Sequence, residues 1–227
     1  MAEAATRKPK QAAKSPKSPS STRSAPLGPR AARQAERRQA ILDAALDEFA
    51  ARGFAATRLD DVAARAGVAK GTIYLYFSDK ESLFQELVRT LLSPVIGTLI
   101  DGHLSDLPVR AVGEAVADLF VREIFGTRRK DVIRLIIAEG PRFPKLAEFY
   151  YREVIERVLP AMRAIMARAV ERGELKTDAL ARFPQLLIAP GLVALVWEGL
   201  FGRFAPLDVR ALMRAHIELL FGEDEAP

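Results

Sequence analysis

Apolar residues recur at three- and four-residue steps along most of this chain and signals for strands are few, so the pattern predicts helices. The first runs from about Ala35 to Arg52, with Ile41, Leu42, Ala45, Leu46 and Phe49 on one face and Gly53 as its stop. Thr57, followed three residues later by Asp60, is a capping-box pattern, from which a helix should start at Arg58. Leu59, Val62, Ala63 and Ala66 give that helix a narrow apolar face about two turns long, and Gly67 follows where a C-cap needs a positive φ. Another helix opens near Lys70. Its Ile73 and Phe77, four apart, face inward and leave Lys70, Thr72, Tyr74, Leu75 and Tyr76 on the outer surface. Ser78, with Glu81 three residues on, caps a helix from Asp79 to about Ile100, which Pro94 should kink or end.

Beyond Pro108 the same periodicity predicts helices over about Val109 to Phe125, Arg128 to Glu139, Pro144 to Arg172, Asp178 to Phe201 and Leu207 to Phe221. Pro160 and Pro190 fall inside these patterns and predict bends, and bent long helices leave gaps between their axes. The fold class is therefore all-α.

The two short helices between Thr57 and Phe77 have the spacing of a helix-turn-helix. Val68 in the turn is placed to pack under both, and Gly71 lets the second helix approach a phosphate or base edge closely. Two tyrosines and a lysine on a short exposed helix are costly decoration for a structural element, which points to DNA. A plain αα-hairpin inside a larger helical domain is the competing account, and Tyr76 is open to two uses: packing on the next helix or touching a phosphate.

The run GVAKGTIYLYFSDKESL, preceded by RRQAILDAALDEFAARGF, resembles the N-terminal domain of the tetracycline-repressor (TetR/AcrR) family of bacterial transcriptional regulators. The likeness covers roughly Arg37 to Val88. It implies a homodimer whose second motif helix enters the major groove of a double-stranded operator, with Lys70, Gly71 and Tyr74 near bases and Thr57, Thr72, Tyr76 and Lys80 on phosphates. Arg58 and Leu75 complete the candidate DNA-binding set. Ala69 stands where the family usually has a serine capping the recognition helix, so a cap-based phosphate contact is not expected here. The segment RLIIAEGPRFPKLAEFYYREVIERVL resembles the effector-binding half of some members.

Composition narrows the rest. The chain has no cysteine, which removes disulfides, thiolate catalysis and thiolate metal sites. It contains no uninterrupted apolar run of about 20 residues and no signal-peptide core, so no membrane partner is expected and the localisation is read as cytoplasmic. The net charge of +5 suits an anionic partner, and much of it lies near the N-terminus. That tail is rich in Ala, Pro, Ser, Lys and Arg and should be disordered. It is either a solubilising extension or an electrostatic arm that neutralises phosphates without reading sequence. The chain thus divides into a basic tail (1–33), a helix-turn-helix domain (34–78), a helical effector-binding and dimerisation domain (79–222) and a disordered C-terminus (223–227).

Catalysis is not expected. His103 and His216 lack metal-ligand partners at helical spacing, no serine sits in a nucleophile elbow, and the carboxylates mostly lie beside Arg or Lys. No metal or cofactor is implied. The large side chains of the central helices, Phe120, Ile124, Tyr150, Tyr151, Met162, Met166 and Trp197, are the candidate lining of an effector pocket, with core packing as the competing account for each. Such a lining favours a lipophilic, aromatic or amphipathic small molecule. The last two helices, with Leu186, Leu187, Leu192, Val193, Leu195, Val196, Leu200 and Phe201 followed by Leu212, Ile217, Leu219, Leu220 and Phe221, present more apolar surface than one bundle needs, which points to a two-fold dimer, with the core of a monomer as the competing account.

Overall fold

A computed structural model describes residues 28–101 and 104–222, and within them every regular element is helical. The expectations for residues 1–27, His103 and residues 223–227 lie outside the described residues.

Helix α1 spans Pro29–Ala56, beginning five residues before the expected domain start at 34: Gly28 precedes it and Pro29 occupies the first turn, where its missing N–H costs nothing. Gly53, at φ 75° and ψ 170°, breaks it and lets the last turn swing inward. That swing drives Phe54 into a fully buried box with Phe49 at 5.4 Å, Phe84 at 6.1 Å and Phe143 at 5.0 Å. Helices α2 (Leu59–Arg65) and α3 (Lys70–Ile73) follow, joined by a turn in which Gly67 takes φ 67° as expected. Leu59, Val62, Ala63, Ile73 and Phe77 are buried against α1, and Val68 packs on the same core.

The capping at both ends of this motif differs from the expectation. Thr57 does not cap α2. Its hydroxyl donates back to the Gly53 carbonyl at 2.8 Å, because the break in α1 leaves that acceptor free, and the residue is buried. Helix α4 (Lys80–Asp101) is started by Asp79 rather than Ser78: the Asp79 carboxylate accepts from the Ser82 N–H at 2.7 Å, and the Ser82 hydroxyl accepts in return from the Asp79 N–H at 3.3 Å. These bonds hold the Asp79 carboxyl below its ordinary range, chiefly through the Ser82 backbone N–H. Length and composition alone would let α4 pass for a membrane span, but seven of its residues, from Leu83 to Ile96, are spent on the protein's own core.

Helix α4 continues through Pro94 as one helix and leads into a bundle. Helix α5 (Val109–Leu119) runs on into a π-helical segment, Phe120–Phe125, closed by a bond from the Gly126 N–H to the Val121 carbonyl at 2.9 Å. Helix α6 covers Arg129–Glu139. Helix α7 (Pro144–Tyr150) joins α8 (Glu156–Glu171) through a second π-helical segment, Tyr151–Ile155. The expected helix from Asp178 to Phe201 is two: Pro184 separates the short α9 (Ala179–Arg182) from α10 (Gln185–Phe201), since a proline cannot donate the bond that would continue the turn. Helix α11 (Val209–Phe221) is capped by Asp208, whose carboxylate accepts from the Ala211 N–H at 2.9 Å.

Candidate DNA-reading face and effector cavity

The outer face of α3 is as open as its inner face is closed. Leu75 is 83% exposed and Tyr74 49% exposed, while Ile73 and Phe77 are buried. Beyond Ile73 the chain tightens into i→i+3 turns, with Leu75 bonded to Thr72 and Tyr76 to Ile73, so the regular α-helix is only four residues long and Tyr74 and Leu75 project from a tighter coil. Ala69 precedes α3 without a side-chain cap bond, as its methyl requires. Arg58, Gly71 and Lys70 are exposed and Thr72 half-buried. The Lys70 ammonium donates to Asp60 at 2.7 Å, and this bond raises its pKa above the usual lysine value. A carboxylate therefore orients the amine on the outer face of the motif.

Three of the sequence candidates are placed elsewhere. Thr57 is 2% exposed with its hydroxyl committed to Gly53, so it offers nothing to a phosphate. The Lys80 ammonium donates to the Phe54 and Ala55 carbonyls at 2.9 and 3.0 Å and lies 4.7 Å from the Phe54 ring centre. It caps the C-terminal end of α1, where bare carbonyls and an aromatic face attract a cation more firmly than open solvent does. Tyr76 is half-buried on the core beside Phe77, so packing takes its ring.

The second candidate site is a partly open cavity of about 310 Å³ bordered by α4, α5, α6, α7, α8, α10 and both π-helical segments, with exposed Ile137 and Leu192 at its mouth. Phe120, Ile124 and Tyr150 line it, as expected from the sequence. Tyr151 does not: it is 52% exposed on the far side of its helix. Met162 and Met166 are buried in a separate packed cluster with Val109, Val112 and Leu187, and Trp197 is partly exposed, donating its indole N–H to the Ala205 carbonyl at 2.7 Å. The residues missed are aliphatic: Val95, Leu99, Val116, Ile136, Val154 and Ile188 belong to the wall. Helical periodicity assigns such residues to an inner face and cannot tell a packed interior from a void. A usable signal was present all the same. Pro94, Pro160 and Pro190 each have lining residues within two positions, and the π-helical segments supply four more, Phe120, Ile124, Val154 and Ile155, so three prolines and two π-helical segments border one space.

The two sites are joined mechanically at α6, which carries Ile133 and Ile136 on the cavity wall and ends at Glu139. The Glu139 carboxylate accepts the Phe54 N–H at 3.3 Å, beside the Gly53 break in α1. A Cβ at Gly53 would come 2.4 Å from that carboxylate oxygen, so glycine is required for the close approach as well as for its positive φ. Arg128, just ahead of α6, pairs with Asp47 of α1.

A helix-turn-helix with an exposed aromatic outer face, carried by a helical domain with an apolar cavity, is the build of a DNA-binding regulator. Residues 41–87 match the bacterial regulatory proteins of the tetR family, and residues 109–215 match the tetracyclin repressor-like C-terminal domain. The chain belongs to the TetR family of transcriptional regulators, which are typically repressors. It is 33% identical over 149 residues to the HTH-type transcriptional repressor KstR2 of Rhodococcus jostii, covering 63% of this chain and 69% of that one. It is 29% identical over 171 residues to the regulator SrpR of Pseudomonas putida, covering 75% and 78%. Among solved structures, the Bacillus subtilis regulator FadR in complex with stearoyl-CoA superposes with a TM-score of 0.64 at 21% identity, covering 82% of this chain and 98% of that one. The relatives are named as regulators and none of these three as an enzyme.

Proposed function

We propose that this protein is a cytoplasmic, homodimeric repressor that binds a palindromic operator and releases it when a small lipophilic molecule fills the cavity. The observation that carries this reading is α6, one helix with its side on the apolar cavity and its end hydrogen-bonded to the DNA-binding module. In this reading the DNA-binding unit ends near Ser78. Tyr74, Gly71 and the Asp60-oriented Lys70 meet base edges, Arg58 and Thr72 meet phosphates, and Leu75 offers an apolar contact such as a thymine methyl accepts. The exposed apolar row of α10, with Leu192, Val193, Val196 and Leu200, is the proposed seam of the dimer, and Leu219 of α11 extends it.

Filling the cavity would press on Ile133 and Ile136, shift α6, and move the Glu139 anchor of α1 together with the recognition face. Two such modules fit successive major grooves only at a separation of about 34–36 Å, so a small displacement is enough to favour the unbound state.

The test is fluorescence anisotropy on the DNA flanking the gene, with and without a lipophilic probe that raises the melting temperature. Sequence-specific binding that the probe weakens supports the repressor. Binding uniform across sequences and sensitive only to salt would instead make this a constitutive architectural protein, and loss of DNA binding altogether would leave a small-molecule carrier.

A further inference from the structure

The chemistry of the cavity wall restricts its occupant further than size does. Among the described residues that line it, every side chain but one is hydrocarbon, and none carries a charge. The exception is Tyr150, at the junction of α7 and the second π-helical segment. Burial pushes its phenol up to about 12, with no charge or hydrogen bond contributing, so it stays protonated at any physiological pH. Its hydroxyl has no hydrogen-bond partner among the described residues. It is the one polar side-chain group of the wall, so an oxygen on a ligand has a single donor to meet there. Arg134 of α6 does not line the cavity: its Nε donates to the Leu195 carbonyl of α10 at 3.1 Å, and one terminal nitrogen is buried without a partner there.

We infer that the cavity takes an uncharged molecule with a hydrocarbon body and one oxygen that hydrogen-bonds the Tyr150 hydroxyl, in the manner of an alcohol, ketone or ester. The space admits about ten non-hydrogen atoms, taking about 30 Å³ for each water-sized group. A carboxylate is rejected because its charge would enter a wall with no cation and no N–H to receive it, and an ion buried without a partner is strongly disfavoured. The inference rests on the effector reading of the cavity and adds the ligand's polarity to it.

Titration calorimetry on the full-length protein at neutral pH, with n-octanol, octanoate and octane as probes, separates the possibilities. Octanol is expected to bind about tenfold or more tightly than octanoate. It should also exceed octane by about two- to tenfold, an advantage that Tyr150→Phe abolishes while octane binding is unchanged. Octanoate binding as tightly as octanol would overturn the uncharged-ligand inference and leave the cavity as an effector site. Octane matching octanol in the unaltered protein would remove the Tyr150 anchor without recourse to any variant. Binding of none of the three would overturn both this inference and the effector reading.

Discussion

The DNA-binding module and the bundle behind it solve opposite packing problems with the same kind of helix. In the module, α1, α2 and α3 close over Phe49, Phe54 and Phe84, and the loose ends are tied by side-chain bonds: Lys80 on the α1 carbonyls, Asp79 and Ser82 at the start of α4, Arg65 on the buried Glu48. In the bundle, π-helical segments follow α5 and α7, prolines sit inside α4, α8 and α10, and residues beside these features line one void. The difference fits the function proposed for each part. A reading face has to keep its geometry, so its support is tight and redundant. A regulatory cavity has to exist before its ligand arrives, so its helices are kept from collapsing onto each other.

The largest expected effect tests that contrast directly. Phe54→Ala removes the ring shared by α1, α4 and the segment after α6, and it should destabilise the fold by about 3–5 kcal/mol in urea denaturation. Leu119→Ala, on the cavity wall, should lose less than about 2 kcal/mol, because part of its surface already faces empty space. Equal losses at the two positions would mean that the void closes in solution.

Tyr74→Ala should weaken operator binding by about 1–3 kcal/mol with the circular dichroism unchanged, since the side chain is half exposed and supports nothing beneath it. Intact operator affinity would remove α3 as the reading element. The smallest effect separates support from reading. Lys80→Ala should cost about 1–2 kcal/mol of stability through the two carbonyls it leaves unpaired. The slope of log affinity against log salt should stay as it was. A slope lower by about 0.9 per subunit would return Lys80 to the phosphate contacts.

These expectations invert part of what the residue order suggested. Thr57 and Lys80 carry the residue types of phosphate ligands at the right spacing, yet both are consumed by the broken end of α1. Whether Gly53 would leave carbonyls for them to satisfy depends on how the chain leaves the glycine, which no local pattern specifies. The same limit applied to the cavity. Phe120, Ile124 and Tyr150 were legible as lining, while Met162, Met166 and Trp197 had identical credentials and packed elsewhere.

What the sequence determined by itself was much of what depends on neighbours a few positions apart, the caps at Thr57 and Ser78 and the break at Pro184 excepted. That covers the helical class, the αα-hairpin with its Gly67 turn, the inward Ile73 and Phe77, the outward Tyr74 and Leu75, and, with them, the family. Helix periodicity and turn chemistry are short-range, so they are written in consecutive residues. The tertiary structure alone decided which apolar faces meet and which stand apart around a void, that Glu139 reaches Phe54 across 85 positions, and that Lys80 serves α1 instead of DNA. Those outcomes depend on the relative placement of helices, which is set by the summed packing of the whole core, and no stretch of sequence contains that sum.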